Sequence, residues 1–157
     1  MFPVTEPDSY CISDMFLACR DFLLGKTEHL CEEVYGFLET PYTMEAPCSV
    51  TAEALRASAK TIGDGFLPQY ILVGDRKLGP AEWLFAAMDV LSGAETVEVQ
   101  PCNWQIDMDQ FPFTRDQNLV GTWVHSPAFR DQFLSHRYRL QSWTIRLPKH
   151  TQRFIFH

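Results

Sequence analysis

Side chains with the right types and spacing for chemistry occur first around His29. If this segment is helical, His29 and Glu33 lie one turn apart with Cys31 and Glu32 beside them, as in a metal site or an acid–base pair. The spacing is common among exposed helices, so a solvated helix face is the favoured interpretation. The sequence therefore predicts no metal site here.

A second carboxylate pair lies farther along the chain. Asp107 and Asp109 flank Met108 and would point to one side of an extended segment, where two carboxylates can hold a divalent cation or share a proton. Phe111 occupies the position at which a calcium loop has its third oxygen ligand. We therefore predict neither a metal nor a cofactor.

A cysteine nucleophile would need a histidine beside it. His125 or His136 would have to meet Cys102 or Cys48 in space, and spacing alone does not show such a contact. No nucleophile elbow, Walker loop, dinucleotide fingerprint or zinc-protease helix occurs. Reduced cysteines buried as small hydrophobic residues are the favoured interpretation, so no catalytic residue is predicted. A small hydrolase or transferase using a Cys/His or Asp pair stays an alternative. The cysteines are Cys11, Cys19, Cys31, Cys48 and Cys102.

Trp104 is the aromatic residue best suited to bind a ligand. It lies in a segment of little periodicity, and its polar neighbours Asn103, Gln105 and Asp107 can donate or accept hydrogen bonds around a sugar stacked on the indole ring. We predict these four residues as a ligand-binding site. Core packing is expected for the other tryptophans, which are Trp83, Trp123 and Trp143.

Charge divides unevenly along the chain. Residues 1–114 hold 6 basic and 18 acidic residues, a net charge of −12, whereas residues 115–157 hold 7 and 2, a net charge of +5. The basic segment either complements the acidic part within the fold or contacts an acidic protein partner. The total of −7 disfavours nucleic-acid binding. The predicted partner-binding residues are Arg130, Arg137, Arg139 and Arg146.

Residues 51–100 position these groups, since their helix and strand signals agree. Thr51 is a good N-cap for a helix to about residue 62, and residues 69–73 favour a strand. Gly79-Pro80 begins a second helix, on which Glu82 and Asp89 are expected to face water. Residues 96–100 alternate as a half-buried strand.

This order of elements, with Tyr-Ile-Leu-Val-Gly in the strand and Gly-Pro-Ala-Glu-Trp-Leu at the helix start, resembles the pseudomurein-binding repeat of archaeal cell-wall proteins. The resemblance covers residues 52–91, about a quarter of the chain. It implies non-covalent binding to a cell-wall glycan, normally through several tandem copies, and a location in the cell envelope. One copy is recognisable here, and no export signal precedes it.

The flanking segments carry weaker signals. Residues 13–24 form an amphipathic pattern with Asp14, Arg20 and Asp21 off its apolar face. Thr27 can cap a second helix to residue 40, although residues 33–38 also suit a strand with an interior glycine. Towards the C-terminus we predict strands at 119–124, 141–147 and 153–156, and a short helix from Ser126-Pro127.

Together these patterns predict a single α+β domain over residues 1–157, with N-terminal helices on a small mixed sheet built from residues 69–73, 96–100 and 141–147. The length suits one domain, and no apolar run is long enough to span a membrane, so a cytoplasmic protein is the default expectation. The favoured function is a non-catalytic binding module for an envelope glycan. The alternatives are a protein-interaction subunit and the small enzyme described above.

Overall fold

The computed structural model describes residues 11–30, 34, 36–102 and 143, together with the backbone of Arg153–Ile155. Within these residues the fold is α+β, as predicted. The helices are α1 (Ile12–Leu23), α2 (Ala52–Ala59) and α3 (Pro80–Leu91). The strands are β1 (Glu28–Leu30), β2 (Gly36–Phe37), β3 (Cys48–Thr51), β4 (Phe66–Leu67), β5 (Ile71–Val73), β6 (Arg76–Leu78), β7 (Thr96–Val99) and β8 (Arg153–Ile155). None of the described helices combines the length and the apolar character that crossing a membrane requires.

The described strands form four separate pairs. Strands β1 and β8, β3 and β7, and β5 and β6 pair antiparallel, whereas β2 and β4 pair parallel. Among the described strands, residues 69–73 and 96–100 are therefore not paired with each other, and most of the third strand of the predicted sheet, 141–147, lies outside the described residues. Strand β5 turns back at Gly74, which has a φ of +62°, and pairs with its sequence neighbour β6, while β7 pairs with β3.

The two helices of the central unit start where the sequence predicts. The Thr51 hydroxyl accepts a hydrogen bond from the Ala54 N–H at 3.2 Å, which caps α2. Helix α3 starts with Pro80 after Gly79 and directs Trp83 into the core. The Trp83 ring packs on Phe16 of α1 with centroids 4.8 Å apart, and its Nε1–H donates to the Ser58 hydroxyl at 2.9 Å. This tryptophan therefore joins all three helices.

Helix α1 is predicted correctly in position, but not in its exposed face. Asp14, Arg20 and Asp21 are all buried, although their positions off the apolar face predict exposure. Asp14 accepts the Cys11 N–H at 3.0 Å and so caps the helix. The Ser13 N–H donates to the Trp143 carbonyl at 2.9 Å. Trp143 is buried as predicted, but it lies in a turn and not in the predicted strand; the other residues of 141–147 lie outside the described residues.

The predicted second helix, from Thr27 to residue 40, is wrong. Glu28–Leu30 forms strand β1, paired with the C-terminal strand β8, and Gly36–Phe37 forms β2, paired with β4. Gly36 has a φ of +87°, which an α-helix does not allow. The alternative of a strand with a glycine near residue 36 is therefore the better interpretation.

Candidate ligand-binding groove

Asp21, in the last turn of α1, is the centre of a buried polar cluster. Its Oδ1 accepts a hydrogen bond from Arg20 Nε at 2.9 Å. The same oxygen lies 2.8 Å from Arg20 Nη2 and 3.1 Å from Lys26 Nζ. Its Oδ2 lies 2.8 Å from His29 Nδ1. The Asp21 side chain is only 6% exposed. Its carboxylate connects the end of α1 to Lys26 in the following loop and to His29 on strand β1.

Arg20 extends this cluster to the loop that follows α2. Its Nη1 donates to the carbonyl of Gly63 at 3.1 Å and to Asp64 Oδ1 at 2.6 Å. The Asp64 side chain is 78% exposed, whereas that of Arg20 is 7% exposed. The guanidinium therefore bridges a buried carboxylate and one at the surface. A lysine would not make both contacts in this geometry, because it lacks the planar set of donors.

The charges of this cluster balance. Burial by itself would raise the pKa of Asp21, but hydrogen bonds from His29 and Lys26 and the charge of Arg20 outweigh it, so that this pKa lies below its ordinary value of 3.8. Asp21 is thus ionised at neutral pH. Two carboxylates, Asp21 and Asp64, then face the two cations Arg20 and Lys26.

The cluster forms one wall of a groove with a volume of about 620 Å³. Leu17, Leu30 and Val34 contribute apolar surface to the lining. Thr27 and Glu28 also line the groove and are exposed. The groove therefore combines apolar contact area with the Thr27 hydroxyl and Lys26 ammonium of the loop before β1 and the Glu28 carboxylate of β1.

His29 is held by the cluster and is not placed for proton transfer. Its side chain is 5% exposed, and the Nε2 atom is buried from solvent. A general base must come within hydrogen-bond reach of the proton that it removes. A molecule in the groove meets that condition only if the imidazole first moves, so the geometry favours a positioning role for His29.

The low pKa of Asp21 predicts a specific pH dependence of stability. A carboxyl whose pKa is lower in the folded than in the unfolded chain stabilises the fold above its unfolded pKa, and this contribution disappears as the pH falls through the folded value. The free energies of unfolding of the wild type and Asp21→Asn, measured with urea between pH 5 and pH 2.5, should differ most at the upper end of this range. The difference should shrink below about pH 4. A difference independent of pH would contradict the assigned pKa.

The described cysteines do not have the properties of nucleophiles. Burial raises the pKa of Cys48, and burial together with the negative charge of Glu82 raises that of Cys102. Burial raises the pKa of Cys19 to about 11. The thiolate is the reactive form, so these thiols are poorly reactive at neutral pH. His125 and His136, the possible partners, lie outside the described residues.

The metal hypothesis at His29 loses its geometric basis. His29 lies on a strand and contacts Asp21, and Glu33, Cys31 and Glu32 lie outside the described residues. Within the described part of the chain, no three His, Cys, Asp or Glu side chains are grouped as a metal site requires. Asp107 and Asp109 also lie outside it.

The residues predicted to bind ligand or partner lie outside the part that the structure describes. These are Asn103, Trp104, Gln105 and Asp107 for the ligand, and Arg130, Arg137, Arg139 and Arg146 for the partner. The residue before this segment is nevertheless held in place by a hydrogen bond. The preceding residue, Cys102, donates its N–H to Glu82 Oε1 at 3.0 Å.

Glu82 is a second buried carboxylate, contrary to the expectation that it faces water. It is 1% exposed, and its Oε1 also accepts the N–H of Met44 at 3.1 Å. Glu82 lies in the first turn of α3, where the helix dipole favours a negative charge. One carboxylate oxygen therefore fixes the connector before β3 and the segment after β7 to the start of α3.

Sequence reasoning missed the groove residues Arg20 and Asp21, and it considered His29 only with Glu33 and not with Asp21. An Arg-Asp pair at the end of a helix resembles any solvated helix terminus, and a histidine eight residues later adds no periodic signal. The distinguishing feature is Asp64, more than forty residues away, which meets the same guanidinium. No local pattern encodes that contact.

The chain was compared with family models, with curated proteins and with solved structures, and none of these matches it. The resemblance of residues 52–91 to the pseudomurein-binding repeat stays a hypothesis. Its expected helix, strand, turn and helix are present as α2, β5, the turn at Gly74 and α3. Capping and periodicity alone also predict these elements, so their presence does not distinguish this repeat from other folds.

Proposed function

We propose that this protein is a non-catalytic binding module and that its groove holds a segment of a hydroxyl-rich polymer, with a cell-envelope glycan as the specific ligand class. The observation that carries the proposal is the arrangement of the buried charges of the groove. Arg20 and His29 both contact the Asp21 carboxylate, which fixes the wall of the groove beside its exposed polar residues.

The lining of the groove suits a sugar chain. A pyranose has one face of C–H groups and a rim of hydroxyls, so it needs apolar contact together with a few well-placed hydrogen-bonding groups. Leu17 and Leu30 supply the apolar contact, and Thr27, Glu28 and Lys26 supply the donors and acceptors. The resemblance of residues 52–91 to a glycan-binding repeat supports the same ligand class.

Protein interaction is the second candidate. Phe85 and Met88, one turn apart on α3, are 57% and 39% exposed, and exposed apolar side chains that lie together on a helix favour contact with another protein. The predicted basic partner-binding residues would add the charge for an acidic partner. This surface is separate from the groove, so the two candidates can be tested independently.

Co-sedimentation with insoluble cell-wall polysaccharides at low and high salt tests the glycan proposal. The purified chain should sediment with at least one polymer at both salt concentrations. A Thr27→Ala/Glu28→Gln variant should bind about tenfold more weakly, because the hydroxyl is lost and one carboxylate acceptor becomes an uncharged amide donor. Trp104→Ala should also weaken binding if the indole is part of the site.

Each control changes a glutamate or an aromatic side chain, as the test variants do, at an exposed position outside the lining of the groove. Glu53→Gln changes an exposed glutamate on α2, and Phe85→Ala removes an exposed aromatic ring on α3; both should bind like the wild type. If no polymer retains the protein, the proposal is wrong. Equal losses in the groove variant and the controls would place binding elsewhere on the protein.

A further inference from the structure

The β5–β6 hairpin has one buried and one exposed face. Ile71 and Val73 point into the core, as does Leu78, which pairs with Ile71. Leu72 pairs with Lys77 in the antiparallel register, so these two side chains share the outer face. Tyr70 precedes Leu72 by two residues and is 43% exposed, which extends the same face.

The Lys77 ammonium lies between two tyrosine rings. Its Nζ is 4.4 Å from the ring centroid of Tyr42 and 4.2 Å from that of Tyr70. Both distances are well within the range of a cation–π interaction. None of the ion pairs among the described residues includes Lys77. Within that part of the protein, the faces of the two rings are therefore the principal contact of this cation.

The segments that carry the rings are fixed in position. The Tyr42 N–H donates to the Gln69 carbonyl at 2.9 Å, and Gln69 Nε2 donates to the Thr40 carbonyl at 3.0 Å. On the other side of Tyr42, the Glu82 carboxylate holds Met44. A Cβ atom on Gly79 would overlap the Tyr42 carbonyl oxygen, so this backbone is closely packed. The ring pair is thus arranged before any ligand arrives.

We propose that Tyr42 and Tyr70 form a binding site for an alkylammonium group, and that Lys77 occupies this site until a ligand displaces it. The lysine side chain shows that an ammonium fits between the rings. A primary ammonium is strongly hydrated, whereas a trimethylammonium group loses less hydration when it contacts an aromatic face. The trimethylated cation is therefore the better occupant, and the net charge of −12 over residues 1–114 attracts cations to the protein.

This site is independent of the proposed glycan function. It is built from the connector before β3 and the β5–β6 hairpin, and it shares no residue with the lining of the groove. Loss of polymer binding would leave this inference unaffected. Its own test needs a cation as the probe and the tyrosine rings as the reporter.

The full chain with ¹³C-labelled tyrosine is titrated with tetramethylammonium chloride and, in parallel, with sodium chloride to correct for ionic strength. Lys77→Ala empties the site, so it should bind tetramethylammonium about tenfold more tightly than the wild type, judged by saturable shifts of the Tyr42 and Tyr70 ring signals. Lys60→Ala removes another exposed lysine and should behave like the wild type. Lys77→Ala/Tyr70→Ala should lose saturable binding.

Two further ligands separate the sources of such a group. Trimethyl-lysine amide and phosphocholine share the trimethylammonium cation, and both should bind Lys77→Ala more tightly than the wild type. The tighter of the two then indicates a methylated peptide or a lipid headgroup. If Lys77→Ala gains no affinity for tetramethylammonium, or if removing Tyr70 leaves its affinity unchanged, the proposal is overturned.

Discussion

Replacing Asp21 with alanine should lower the free energy of unfolding by about 3 kcal/mol, because it leaves a buried cation without its main partner. Arg20 would keep Asp64 and the carbonyl of Gly63, which lie towards the surface, but would lose both contacts to Asp21. His29 and Lys26 would lose the same acceptor. The melting temperature should fall by about 10 °C for a chain of this length.

Urea unfolding at pH 7 measures this effect, with Asp75→Ala as the matched control. Asp75 also pairs with a neighbouring arginine, at 3.5 Å, but its side chain is 87% exposed. Exposed pairs of this kind contribute under about 1 kcal/mol, so the control should be close to the wild type. If the two variants lose the same stability, Asp21 is not the centre of the buried cluster.

Replacing Glu82 with alanine should have an effect of similar size, about 2–4 kcal/mol. The N–H groups of Met44 and Cys102 would lose their acceptor, and a buried donor without a partner is costly. The connector before β3 and the segment after β7 should therefore both become more mobile. Amide hydrogen exchange at Met44 and Cys102 should therefore accelerate more than exchange in the core of α3.

Glu53→Ala is the control for Glu82. Both glutamates lie in the first turn of a helix, but Glu53 is exposed, so its removal should cost only the small dipole contribution of about 0.5 kcal/mol. Glu82→Gln retains an acceptor oxygen and should lose less stability than Glu82→Ala. Equal effects for Glu53→Ala and Glu82→Ala would show that the Glu82 carboxylate does not join these segments.

The parts of the fold that depend on neighbouring residues could be predicted from the sequence. Thr51 caps α2 and Pro80 begins α3, since each acts on backbone groups within one helical turn. The end of β5 at Gly74 also follows from a glycine, which adopts a positive φ readily, whereas residues 76–77, predicted as a turn, form part of strand β6. Local signals of this kind account for most of residues 51–100.

The parts that depend on distant contacts could not be predicted. Glu82 is buried because Met44 and Cys102, 38 and 20 residues away, donate to it. His29 lies on a strand because its ring meets Asp21 and because β8, at the far end of the chain, pairs with β1. The groove depends on the contact of His29 with Asp21 and on the pairing of β8 with β1. Neither contact leaves a periodic pattern in the sequence.

The groove beside Asp21 is the proposed binding site for a hydroxyl-rich polymer. The most direct test is an NMR titration of the ¹⁵N-labelled chain with soluble fragments of chitin and of peptidoglycan, following every assigned amide. Binding in the groove predicts saturable shifts at residues 25–30 and 64–65, which line the groove, and unchanged amides around Phe85 on α3. Shifts confined to α3, or no saturable shift with any fragment, would contradict it.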